Sequence, residues 1–296
     1  MNRVLILAGP TASGKTDLAI ELAQKFDAEI VGADSRQIYR GMPIGTAAPT
    51  IAQRAMVPHH LIDFLDPRER YSAARYASDA VAAIERIYAR GKRAIVVGGT
   101  GFYIRTLTGG ASLAPQYDPQ VRERLAAEAR RHDAAFLHGW LSLRDPSRAA
   151  MLPVGDKYRV LRALEVALAP RTLRDDLPPR TLLNAGIAFE VFYLEVDPLE
   201  LDARIAARTD AMLRDGLLDE AQSIAAEAVA GSAVGYPQAL AFLRGWCTFE
   251  ELRTLLIRAT RRYAKRQATW FRSDPGAVHL AREHVDAAAR NKLGWA

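Results

Sequence analysis

Arg3-Val4-Leu5-Ile6-Leu7-Ala8-Gly9-Pro10-Thr11-Ala12-Ser13-Gly14-Lys15-Thr16 is the stretch on which the fold turns. Six residues of β type run into a glycine-proline corner, and the spacing G-x-x-x-x-G-K-[ST] follows at once. The reading is strand, phosphate-cradling loop, helix. In such a loop glycines let backbone N–H groups turn inward around phosphate oxygens, and the helix N-terminus adds its partial positive charge. The candidate phosphate-holding residues are therefore Gly9, Pro10, Thr11, Ala12, Ser13, Gly14, Lys15 and Thr16. Lys15 would reach a terminal phosphate, and the Thr16 hydroxyl would ligate Mg²⁺.

Outward from that loop, strand and helix alternate. Leu18, Ala19, Leu22, Ala23 and Phe26 recur at helical spacing over residues 15–26. Residues 29–33 predict a second strand ending at Asp34, and residues 72–88 an alanine-rich helix closed by Gly91. Ala94-Ile95-Val96-Val97 predicts a third, buried strand that runs into Gly98-Gly99-Thr100-Gly101. This alternation implies parallel pairing, with ligands gathered at the carboxyl ends of the strands. From residue 113 the pattern changes: residues 118–140 and 145–168 read as helices, then a polar, proline-bearing stretch covers 170–179. Residues 189–195 restore a strand, and helices dominate to the end. The predicted architecture is α/β, a P-loop NTPase-like parallel-sheet core (residues 1–112 and 187–296) carrying a helical insertion (113–186).

Composition excludes other classes. The 296 residues are 49% hydrophobic and 25% charged, unlike a disordered chain or a coiled-coil rod. Cys247 is the only cysteine, so no disulfide scaffold exists. The apolar start breaks at Gly9-Pro10, far short of the ~20 residues that span a bilayer. No membrane association is expected, and the cytoplasm is the expected compartment. Forty Lys and Arg against 34 Asp and Glu give a net charge of +6, which matters less than where the charge sits.

Ordinary P-loop nucleotidases end an apolar strand in an aspartate that holds magnesium. Here residues 94–97 lead to Gly-Gly-Thr-Gly instead, and Asp197, followed by Pro198, reads as a helix cap. Asp34, at the tip of the second strand, is the better-placed acid, suited to metal ligation or general-base work. His59 and His60 are adjacent, which points them apart, and are read as structural. From Leu252 to Ser273 seven cations (Arg253, Arg258, Arg261, Arg262, Lys265, Arg266, Arg272) stand with no acid. Arg258, Arg262, Lys265 and Arg266 share a helix face, and an unmixed face argues for phosphate contacts. Arg122, Lys157, Arg159 and Arg162 add charge near the insertion.

A longer series of segments is specific. Asp34-Ser35-Arg36-Gln37-Ile38-Tyr39, Ile44-Gly45-Thr46-Ala47-Ala48-Pro49, Pro58-His59-His60-Leu61-Ile62-Asp63 and Val97-Gly98-Gly99-Thr100-Gly101-Phe102-Tyr103 resemble the tRNA dimethylallyltransferase family. So do residues 159–165, 233–236, 259–267 and 269–272, in order along the chain. The resemblance implies transfer of a dimethylallyl group from dimethylallyl diphosphate to N6 of the adenosine 3′ of the anticodon, with Mg²⁺ as cofactor. It implies that Asp34 is the base, that Thr100 touches the target nucleotide, and that Lys15 assists the leaving diphosphate together with Arg208. It further implies tRNA contacts from Asp34, Ser35, Arg36, Gln37 and Thr100, and from Arg122, Tyr158, Arg159, Val160, Leu161 and Arg162 on the insertion. The chain departs from the family pattern at Ala48, commonly Lys, and at Gly155, commonly Asn. No Cys/His finger follows Arg272, as in the shorter bacterial form, and a monomer is expected. Two rival readings are a small-molecule kinase using ATP on the same loop, which lacks its acid here, and a non-catalytic RNA-binding protein, at odds with retained Lys15, Thr16 and Asp34.

Overall fold

The computed structural model describes residues 3–111, 118–168, 178–224 and 229–295. The elements run β1 (Arg3–Ala8), α1 (Lys15–Lys25), β2 (Ala28–Gly32), α2 (Pro43–Thr46), α3 (Ile51–Met56), β3 (His59–His60), α4 (Ala73–Ala89), β4 (Arg93–Gly98) and α5 (Gly101–Leu107). Then come α6 (Pro119–Arg131), α7 (Ala134–Arg144), α8 (Pro146–Ala150) and α9 (Lys157–Leu168). After these lie β5 (Ala188–Leu194), α10 (Pro198–Arg214), α11 (Leu217–Ser223), α12 (Tyr236–Leu243), α13 (Phe249–Arg272), β6 (Ala277–Leu280) and α14 (Val285–Leu293).

All pairings in the six-stranded sheet are parallel, in the order β3-β2-β4-β1-β5-β6. Strand alternation explains why helices cover both faces. Val4, Ile6 and Ala8 pack with Tyr76, Ala80 and Ile84 of α4, whereas Leu5 and Leu7 pack with Leu18 and Leu22 of α1 and with Val285 of α14. Leu5 and Leu7 are fully buried, so either changed to alanine costs about 2–5 kcal/mol. The register sets Ala8 beside Gly98 and Gly32 beside Val97, which brings the carboxyl ends of β1, β2 and β4 to one edge. β3 and β6 were not foreseen; two and four residues at the sheet margins are too short to show a period.

The chain divides into two compact units, Met1–Ala111 with Pro179–Ala296, and Ser112–Pro178. Residues 179–186, placed in the insertion from sequence, belong to the core. Leu182 is fully buried among the α4 and α5 side chains, and its N–H bonds the Leu107 carbonyl at 2.7 Å. The predicted start at 113 and most of the off-pattern stretch 171–179 lie outside the described residues.

Within the second unit the two expected helices are four. Asp133 splits the first run because its side chain caps α7, accepting the Phe136 N–H. Asp145 caps α8 at the predicted start of the second run, which breaks after Ala150 across Pro153 and Gly155 before α9 begins. Leu125, Leu137, Leu141, Val160 and Leu164 form this unit's own core. Val160 is fully buried and Leu161 packs against the same cluster. Their assignment to RNA contact is therefore corrected to packing. Tyr158 is 77% exposed.

Candidate functional site

The loop after β1 is held by left-handed backbone at Ala12 (φ 64°) and Gly14 (φ 80°). Ser13 closes it with a 3.3 Å bond to the Pro10 carbonyl, and α1 starts directly at Lys15. Lys15 Nζ donates to the same Pro10 carbonyl at 3.0 Å. Burial pulls its pKa down to about 8, Asp34 pulls it back up, and Arg208 lowers it further. Ser13 is buried, and its hydroxyl has no hydrogen-bond partner among the described residues. An orphaned hydroxyl inside a ring of inward backbone is what an anion would satisfy. Arg204 and Arg282 brace the loop from outside, donating to the Ser13 and Gly14 carbonyls at 3.0 and 3.3 Å. Each is itself held by an acid, Glu200 and Glu21.

Asp34 follows β2 at the same edge. Its Oδ1 accepts the Arg36 N–H at 2.8 Å, an Asx turn that fixes the carboxylate at the mouth of the loop. Thr100 stands beside it: its N–H donates to the Ala33 carbonyl, and its Oγ1 accepts the Ser35 N–H at 3.0 Å. Only glycine allows this approach, since a Cβ on Gly98 would lie 2.1 Å from the Ala33 carbonyl oxygen. On α13, Gln267 accepts the Thr11 N–H at 2.8 Å and donates to the Gly99 carbonyl at 2.9 Å.

Of these parts Thr11, Asp34, Ser35 and Arg36 line a pocket of about 240 Å³, whose lining does not include Lys15, Thr100 or Gln267. Its lining is polar at Thr11, Asp34, Ser35, Arg36, Arg208 and Arg266 and apolar at Ile205, Met212, Val234 and Leu256. Arg208 donates to the Thr46 carbonyl at 3.4 Å, and Asp34 offsets part of the lowering that burial imposes on its pKa. Tyr263 also lines the pocket, its pKa raised chiefly by burial and then by Asp34. The structure thus brings together Asp34, Ser35, Arg36, Thr11 and Arg208, with Lys15 coupled to Asp34 and Arg208.

Gln37 is placed differently. Its amide N–H₂ is occupied by the Thr46 and Ala47 carbonyls, so it holds the 42–48 loop and has no donor left for a base. The Thr11 N–H is likewise occupied by Gln267. Asp197 caps α10 as its sequence suggests. His59 bonds the Val57 carbonyl and His60 the Glu29 carboxylate, which also takes Arg90. Among the described residues no three His, Cys, Asp or Glu side chains cluster as a metal site.

The IPP transferase family model matches residues 37–274, and the isopentenyl transferase model matches residues 2–68. The chain is 46% identical over 289 residues to the tRNA dimethylallyltransferase of Anaeromyxobacter dehalogenans, covering 94% of this chain and 95% of that one. The chain belongs to the tRNA dimethylallyltransferase family. The Geobacter sulfurreducens member is 42% identical, with 92% and 90% coverage. The crystal structure of the full-length tRNA isopentenylpyrophosphate transferase from Bacillus halodurans superposes with a TM-score of 0.70 at 32% identity, covering 99% and 96% of the two chains. A eukaryotic dimethylallyltransferase captured acting on tRNA gives 0.76 at 26% identity, covering 99% of this chain and 77% of that one.

Against that family background, three residues with work at the site went unread. Arg204 and Arg282 leave no sequence signal, because their partners are backbone carbonyls. Gln267 leaves one: it is an uncharged polar residue on the buried face of α13, in line with Leu252, Leu256 and Ala259. Across the helix Arg258, Arg262 and Lys265 are exposed, while Arg266, also exposed, lines the pocket; among the described residues none of the four has a carboxylate within 4 Å. Arg253 and Arg261, by contrast, pair with Asp210 and Asp202.

Proposed function

We propose that this protein transfers the dimethylallyl group of dimethylallyl diphosphate to N6 of the adenosine 3′-adjacent to the anticodon in tRNA. The observation that carries the reading is one pocket lined by cations, a carboxylate and apolar side chains. An allylic diphosphate has an anionic half and a small apolar half; Arg208 and Lys15 suit the first, and Ile205, Met212, Val234 and Leu256 suit the second.

The chemistry follows from those groups. The C1–O bond breaks, with its electron pair leaving on the diphosphate, as the adenine N6 lone pair forms the new C–N bond. Lys15, Arg208 and the loop N–H groups neutralise the departing charge in a site with little water. N6 is a weak nucleophile, its lone pair delocalised into the ring, so a carboxylate that takes its proton contributes about 10²–10⁴-fold. Asp34 is that acceptor, held by the Arg36 N–H. Thr100 positions the target nucleotide, which must leave its stack to enter the pocket. The Thr16 hydroxyl is a hard oxygen of the kind Mg²⁺ takes; Thr16 would hold that ion, which would screen the leaving group's charge.

For tRNA, the acid-free face of α13 supplies phosphate contacts, and Tyr158 and Arg159 are exposed on the helical unit. No helix among the described residues is long and apolar enough to cross a membrane, and we place the reaction in the cytoplasm, with the protein acting as a monomer. The test mixes the protein with labelled dimethylallyl diphosphate, ATP and unmodified tRNA. Label appearing on the adenosine 3′ of the anticodon, with release of diphosphate, supports the reading. Phosphate release from ATP without prenyl transfer overturns it.

A further inference from the structure

We propose that Gln267 is a positioning residue that sets the distance between the phosphate loop and the loop carrying Thr100, and with it the register of donor against acceptor. The inference rests on the transfer reading above. Gln267 projects from α13 into the gap between the loops that follow β1 and β4. On one side its Oε1 accepts the Thr11 N–H at 2.8 Å; on the other its Nε2 donates to the Gly99 carbonyl at 2.9 Å. The residue is 5% exposed, so water does not compete for either bond.

The fit is reciprocal. A Cβ on Gly99 would stand 2.1 Å from the Gln267 nitrogen and 3.1 Å from the Gly9 carbonyl oxygen. The missing side chain leaves room for the amide, and the amide fills that room. The gap presents one donor and one acceptor, and a primary amide carries one of each on a planar head. Glutamate has no donor for Gly99, methionine has neither a donor nor a good acceptor, and lysine has no acceptor for Thr11. What the amide joins are the two halves of the reaction. Thr11 lines the pocket beside Asp34, while Thr100, next to Gly99, holds the Ser35 N–H. One helical turn back on α13, Tyr263 lines the same pocket. Without the tie, each loop keeps its own ligand contacts but loses its spacing to the other, and a misplacement of about 1 Å lowers a transfer rate by roughly 10²-fold.

Gln267→Met and Gln267→Glu in the full-length chain test this. Inorganic diphosphate and unmodified tRNA are titrated separately, and transfer from saturating dimethylallyl diphosphate is followed in single turnover. We expect both dissociation constants within about threefold of wild type and a transfer step slower by about 10²-fold, so that kcat falls and KM hardly moves. Gly99→Ala displaces the same amide from the opposite side and should give the same loss, with the double variant Gly99→Ala/Gln267→Met no worse than either single one. If Gln267→Met does not fold, Gly99→Ala decides. Transfer within threefold of wild type overturns the inference, as does a rate loss matched by lost diphosphate binding, which would make Gln267 a mere prop of the phosphate loop. A wild-type protein that binds both probes but transfers nothing instead overturns the functional reading, and the inference with it.

Discussion

Two basic regions of this chain look alike in sequence and differ in structure. On α13, Arg258, Arg262, Lys265 and Arg266 are exposed, with no carboxylate within 4 Å among the described residues. In the helical unit, Arg122 and Arg162 close on Glu165 at 3.4 and 2.7 Å, and Arg159 on Asp156 at 3.3 Å. Lys157 caps the α6 carbonyls of Ala129 and the neighbouring His132. Glu165 is 6% exposed, so two guanidiniums there balance a buried carboxylate. Counting cations along a sequence measures charge; whether the charge faces a partner depends on where the acids fall once the helices form. The first region leaves its charge unanswered by the protein's own acids, and much of the second spends its charge on its own fold.

Four measurements break or sharpen that contrast. The largest effect lies at the pocket itself. Asp34→Ala should lower single-turnover transfer by about 10²–10⁴-fold and leave the tRNA dissociation constant within threefold; an unchanged rate removes Asp34 as the base. Next, Arg258→Ala with Arg262→Ala should weaken tRNA binding and flatten its dependence on salt, by about 0.7 in log–log slope for each phosphate no longer neutralised. An unchanged slope would make the α13 face a solvating surface. Arg162→Ala should behave in the opposite way, losing about 1–3 kcal/mol in denaturant unfolding, because a buried acceptor loses its donor, with little change in the salt slope.

The fourth concerns pH. Lys15 holds a pKa of about 8 in the folded chain against 10.5 ordinarily. Between those values the unfolded chain binds the extra proton, so ligand-free stability rises as pH climbs through 8. The burial penalty is therefore present in full at neutral pH. Lys15→Met should stabilise the ligand-free protein by on the order of 1–3 kcal/mol at pH 7, with the gain shrinking by pH 9.5. The same variant should transfer nothing. A stability gain that does not vary with pH would place the lysine in water.

Most of the core was legible because it rests on local rules. Arg3–Ala8 reads as a strand from composition alone, and the glycine spacing after it admits few alternatives. Asp34 and Thr100 stood out because strand ends gather at one edge. The helical unit was less legible: Asp133 sits inside an apparently continuous run yet caps α7, and the run from Asp145 breaks after Ala150. Residues 179–186 resemble a linker, yet Leu182 bonds Leu107 across a long stretch of chain. Within the site, Arg208 was legible by family likeness, but the role of Gln267 depends on where Thr11 and Gly99 meet, which no local pattern encodes.

The strand order carries a consequence for biosynthesis. β1 leaves the ribosome well before one of its two neighbours, β5, which begins at Ala188. At translation speeds of about 5–20 residues per second, the wait between them is roughly 10–40 s. Throughout that interval one edge of the nascent sheet, bearing Val4 to Leu7, has no strand to pair with, so during synthesis the centre of the finished sheet is exposed as an edge.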